Sequence, residues 1–157
     1  MPHQQVSKMT LRAQIVQHAL SLVGTPWHHR AMLPGVGIDC VRLLEWVAKQ
    51  TGLLPLTWQP PVYSPQWHLH HNEQVLLDVL TDLGCVAIPF QARQPGDALT
   101  FQYGRVASHM AVLVRREPDY IVHAALDMRR VVHHRLSDGL LARVRGIYTF
   151  PGIEGAA

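Results

Sequence analysis

Long apolar runs are missing from this 157-residue chain, and so are most motifs that announce a site by themselves. No stretch approaches the ~20 consecutive apolar residues of a membrane-spanning helix. Met1 to Lys8 is polar, and Gln14, Gln17 and His18 break the apolar stretch that follows. No secretory leader is legible, so synthesis in the cytoplasm is expected, with any action outside following lysis, injection or carriage on a particle. Only two cysteines are present, too few for a disulfide framework at this length. Charged residues are scarce at 16%, against 48% apolar, which excludes a disordered chain. One domain over 1–157 is expected, with a single core and loose tails at 1–8 and 152–157. The formal charge of +3 suits approach to an anionic polymer such as a cell wall. Without a basic run it is too weak to indicate nucleic acid. No phosphate-cradling glycine loop, dinucleotide fingerprint, GxSxG elbow, HExxH or paired CxxC occurs, so neither cofactor nor metal is expected.

What the chain does contain centres on Gly35-Val36-Gly37-Ile38-Asp39-Cys40. The glycines permit a sharp, closely approached turn, Asp39 is a favoured helix N-cap, and Val41, Leu43, Leu44, Val47 and Ala48 continue at helical spacing. A cysteine in the first turn lies at the positive end of the helix dipole, beside unpaired N–H groups. That position favours thiolate and predicts a pKa lowered from ~8.5 toward ~3.5–7.5. Cys40 is then either a nucleophile or, as free cysteines commonly are, a small buried hydrophobe. Cys85, at the end of a helix and the start of an apolar run, reads as structural. A Cys40–Cys85 bond would silence the nucleophile.

Helices are expected over 10–23 (apolar at Leu11, Ile15, Ala19, Leu20 and Val23), over 40–51 and over 69–83. Gly24-Thr25-Pro26 stops the first, and 27–38 is a loop. Pro55, Pro60, Pro61 and Pro65, interleaved with Trp58, Tyr63 and Trp67, make 53–65 an ordered strap or a wall of a substrate groove. After Gly84 the period changes. Strands are expected over 85–88, 98–101, 109–114, 120–125, 131–135 and 145–150, separated by turn residues. Helices first and strands afterwards predict an α+β fold, with N-terminal helices packed on a central antiparallel sheet.

A thiolate needs a proton-accepting base, and the base an orienting partner. Of eleven histidines, His109 and His123 fall on consecutive strands joined by Glu117-Pro118-Asp119. Any pairing with an even residue sum puts both on one face, opposite or one diagonal step apart. They are a base and its orienter, or two partly buried structural rings. His28-His29, His68/His70/His71 and His133-His134 match no zinc spacing and are expected on loops or solvated strand faces.

The order cysteine, strand histidine, next-strand histidine resembles the NlpC/P60 family of cell-wall cysteine peptidases, in particular its phage and prophage tail-associated versions. Gly24-Thr25-Pro26-Trp27 is similar to the family's Gly-x-Pro-Tyr, and 35–43 to its Asp-Cys-x-Gly-Leu stretch. Gln94-Pro95-Gly96-Asp97-Ala98-Leu99, Arg105-Val106-Ala107-Ser108-His109-Met110-Ala111-Val112 and Ile121-Val122-His123-Ala124 are similar to its three strand motifs. The resemblance implies a papain-like fold and hydrolysis of peptidoglycan stem peptides between γ-D-glutamate and the diamino acid. Cys40 would be nucleophile, His109 base and His123 third polar residue, with Trp27, Asp39, Arg42 and Ser108 at the substrate. Phage tail proteins are the implied partners. Two departures stand out: Arg42 replaces a small residue and could bind a substrate carboxylate, and Trp27 replaces a tyrosine. The competing readings are a catalytically weak structural protein of a tail tip and another papain-like hydrolase acting on small amides or lipids.

Overall fold

The computed structural model describes residues 9–61 and 74–153. The first helix, α1 (Leu11–Ser21), starts where the Thr10 hydroxyl accepts from the Ala13 N–H at 3.1 Å. Ile15, Ala19 and Leu22 point into the core, whereas Leu20 and Val23, expected there, are exposed. The helix stops at Ser21, two residues earlier than expected, because the chain turns so that the Gly24 N–H can donate to Val131. The 27–38 loop carries a small hairpin, β1 (Met32–Leu33) and β2 (Gly37–Ile38). Gly37 is required there: a Cβ would come within 2.8 Å of the His28 ring.

Helix α2 (Cys40–Gln50) begins at the expected cap. Asp39 accepts from the Arg42 N–H at 2.9 Å and, with its other oxygen, from the Arg30 N–H at 2.8 Å. Its apolar residues are buried as expected, but so are Glu45 and Lys49. Glu45 lies between Arg42 (2.7 Å) and Lys49 (3.1 Å), and Lys49 also donates to the Trp58 carbonyl at 2.7 Å. The proline-rich segment is thus tied to α2 at Trp58. The Trp58 indole reaches Asp82 (3.3 Å) at the end of α3 (Gln74–Asp82). Tyr63, Pro65, Trp67, His68, His70, His71, the expected start of the third helix and both tails lie outside the described residues.

The sheet comprises β3 (Val86–Ile88), β4 (Ala98–Tyr103), β5 (Val106–Arg115), β6 (Tyr120–Ala125), β7 (Arg130–Arg135) and β8 (Val144–Thr149). Its order is β3-β8-β4-β5-β6-β7, antiparallel throughout. A short α4 (Asp138–Leu141) stands where a turn was expected, capped by the Ser137 hydroxyl. Side chains alternate across the strands. Met110, Val112, Val122, Ala124 and Val131 pack with Cys40 and the helices, while Leu99, Phe101, Ala111, Leu113, Ile121 and Ile147 form a second core on the other face.

One buried carboxylate joins the layers. Asp97 accepts from Arg12 of α1 (2.8 Å), the Thr149 hydroxyl of β8 (2.9 Å) and the Gln94 N–H (2.8 Å). Asp97→Ala strands a guanidinium and a hydroxyl, so a loss of about 3–5 kcal/mol is expected in urea unfolding. A loss below about 1 kcal/mol would show the network to be dispensable.

Candidate active site

The helix tip places Cys40 against β5. Below Val112 the registered β5–β6 pairs stop, and the main-chain N–H of Met110 is directed at the Cys40 sulfur, together with the N–H groups of Cys40 and Val41. Helix-tip donors of this kind were the basis for expecting an acidic thiol. Burial outweighs them: Cys40 is only 8% exposed, and removal from water, then the Asp39 carboxylate, push its thiol up to about 12. The expected shift is therefore reversed. Cys85, half-buried, is likewise pushed up to about 12 by burial and by Asp97, and neither cysteine is in a disulfide. Iodoacetamide should accordingly label both with rates rising about tenfold per pH unit to beyond about pH 10. A Cys40 inflection near pH 7 would mean that the helix tip prevails after all.

His109 leaves β5 on the face of Phe101 and Tyr103, whose rings it meets at 5.8 and 6.0 Å. Its Nε2 lies 2.7 Å from Nδ1 of His123, one diagonal step away on β6. The two rings share a face, as the even-sum pairing requires; it is the face of Phe101 and Ile121, whereas Cys40 packs with Met110 and Val112 on the other. Burial lowers His109 to about 4 and, helped by the neighbouring imidazoles, lowers His123 to about 3, so both are neutral at pH 7. Among the described residues no hydrogen bond joins His109 to Cys40; the thiol meets the strand at the next residue.

The pair continues into a third ring that sequence reasoning assigned to a solvated strand face. His123 Nε2 is 2.8 Å from Nε2 of His134 on β7, and His134 Nδ1 is 2.8 Å from the Arg135 carbonyl. The β6–β7 register pairs His123 with Val132 and Ile121 with His134, which brings His134 to the face of His123 and sends His133 to the other. The 126–129 turn contains neither glycine nor proline to reveal that register.

A cavity of about 500 Å³ opens on the imidazole side, lined by Tyr103, Ser108, His109, His123, Ala125, Leu126 and Asp127. Ser108, itself buried, is in this wall. Cys40, Trp27, Asp39 and Arg42 are not. Trp27 is half-buried, packed on the main core and bridged to Ile38; Asp39 is the helix cap; the Arg42 guanidinium is engaged by Glu45. Among the described residues, no group of three or more His, Cys, Asp or Glu is arranged to hold a metal ion. No helix of those residues is long and apolar enough to cross a membrane.

No family model matches the sequence, and comparison with curated proteins finds no match. Solved structures do match. NlpC2 from Trichomonas vaginalis superposes over 93% of this chain at TM-score 0.67 and 16% identity. The NlpC/p60 domain of the peptidoglycan hydrolase SagA covers 88% at 0.59 and 16%. The fold is that of an NlpC/P60 domain. RipD from Mycobacterium tuberculosis, described as a non-catalytic NlpC/p60 protein adapted to peptidoglycan binding, shares it over 92% of this chain and 99% of its own, at TM-score 0.55 and 12% identity. The chain accounts for 98% of the SagA domain but only 49% of NlpC2. The NlpC/P60 fold thus occurs in a named hydrolase and in a protein described as non-catalytic, so the choice here rests on Cys40 and the imidazoles.

Proposed function

We propose that this chain is a cysteine-dependent amide hydrolase acting on peptidoglycan stem peptides, at the bond between γ-D-glutamate and the diamino acid, and carried on or assembled with a phage tail. The observation that carries it is that the helix-tip thiol meets β5 at the main chain of Met110, the residue next to His109, from which a row of hydrogen-bonded imidazoles begins beside a cavity. With the thiol raised and the rings neutral, the resting site holds no ion pair, so attack and proton transfer go together. Sγ adds to the amide carbon while His109 Nδ1 takes the thiol proton. The amine leaves with that proton, and water then hydrolyses the thioester. The N–H of Cys40 at the start of α2 stabilises the oxyanion.

The second reading is a non-catalytic wall binder. It is favoured by the 8% exposure of Cys40 and by the missing hydrogen bond to His109. Digestion of purified walls followed by mass analysis of the soluble fragments separates the two. The hydrolase leaves a new amino group on the diamino acid. A protein that co-sediments with walls and releases no peptide from walls of several chemistries is the binder.

A further inference from the structure

We propose that His134 is the proton store of the site, and that a proton accepted at His109 Nδ1 comes to rest there after two transfers through His123. The inference deepens the hydrolase reading but stands on geometry of its own: three rings in series whose far end meets a group that can only accept.

The carbonyl of Arg135 has no proton to give, so His134 Nδ1 carries the hydrogen of that 2.8 Å contact. In the neutral ring, His134 Nε2 is then an acceptor, and the proton of the next contact belongs to His123 Nε2. His123 Nδ1 is left as acceptor, and the proton of the 2.7 Å contact belongs to His109 Nε2. What remains is the lone pair on His109 Nδ1. One main-chain oxygen thus sets the tautomer of all three rings and leaves a base at the β5 end, on the residue before the one whose N–H Cys40 meets.

The same chain carries charge away. A proton arriving at His109 Nδ1 displaces the Nε2 proton to His123 Nδ1, and the His123 Nε2 proton moves to His134 Nε2. His109 and His123 end neutral with hydrogen on Nδ1, and His134 ends as imidazolium. One proton enters, two hydrogen bonds reverse, and no proton is lost. Burial opposes a cation at His109, and burial together with the two neighbouring imidazoles opposes one still more at His123. His134 is half-buried on β7, an edge strand of the sheet. The reverse passage returns the proton to the leaving amine. Among the described residues, the titratable and charged groups facing the row are Tyr103 on β4, with Arg143 over its ring, and Asp127 after β6. Asp127 favours charge in the row.

The test is a titration of the histidine ring nitrogens by long-range 1H–15N NMR, with the wild type and His134→Gln. Near pH 7.5 the wild type should show hydrogen on Nδ1 of His134 and on Nε2 of His109 and His123. As pH falls, His134 should become imidazolium and His109 should switch from Nε2–H to Nδ1–H at one shared midpoint. In His134→Gln the amide oxygen still accepts from His123 but cannot take a proton, so the His109 transition should move down by at least about one pH unit. His109 keeping its Nε2–H while His134 titrates overturns the relay, as does an unmoved midpoint in the variant. If His134→Gln does not fold, the wild-type titration alone decides. Protein that shows the shared midpoint yet releases nothing from walls refutes the hydrolase and leaves the relay intact. Protein that digests walls without the shared midpoint refutes the relay alone.

Discussion

Cys40→Ala is expected to bring release of stem peptides down to background, a loss on the order of 10⁴-fold or more. The sulfur forms the thioester in the proposed mechanism, and alanine offers no substitute. His109→Ala should fall nearly as far, because a thiol pushed up to about 12 provides almost no thiolate at neutral pH without a base. The double variant should be no worse than either single one, since the two groups act in one step. Thermal unfolding of Cys40→Ala should stay close to wild type, because a small, buried, uncharged group replaces another. Fragment release measured over a day on one wall preparation checks all three proteins. Wild type and Cys40→Ala giving the same trace would establish the non-catalytic binder.

The second large effect is on stability in acid. His109 and His123 have folded-state values of about 4 and about 3, below the ~6.5 of an unfolded histidine. Between pH ~6.5 and ~4 the unfolded chain therefore binds protons that the folded chain refuses, and stability falls as pH falls. Each ring contributes at most about 1.4 kcal/mol per pH unit, so the pair can remove several kcal/mol from a total of ~5–15. The contribution is complete above pH ~6.5 and is lost as pH falls toward the folded values. Glu45 works the other way: burial raises its carboxyl, so the folded state takes up a proton as pH falls. Urea midpoints at pH 7.0 and 4.5 for wild type and His123→Asn separate the two, because only the histidine contribution shrinks in the variant. A wild-type midpoint unchanged over that interval would mean that the rings accept protons in place.

Much of the frame was legible. The Asp39 cap, the burial face of α2 and the six strands follow from turn residues and periodicity, which depend on nearest neighbours along the chain. What escaped depends on register. At the β5–β6 turn Arg115 pairs with Tyr120, an odd residue sum that would part His109 from His123; the irregularity after Leu113 restores the even sum, Leu113 with Ile121. No residue type announces that shift. His134 was missed for the same reason, its turn carrying no signal. The lowered thiol pKa was wrong because helix position is written in sequence and desolvation is not: it takes Met110, Val112 and the second layer to bury Cys40. Glu45 and Lys49 escaped similarly, buried on α2 by the segment that runs to Trp58.

The oxygen at the far end of the imidazole row belongs to the peptide unit of residue 135, not to any side chain. Genetic drift at that codon therefore leaves the direction of the row untouched, because every amino acid supplies the same oxygen. Damage would come instead from insertions or deletions that slide this edge strand, and relatives should differ freely in the identity of this residue while preserving the length of the hairpin before it.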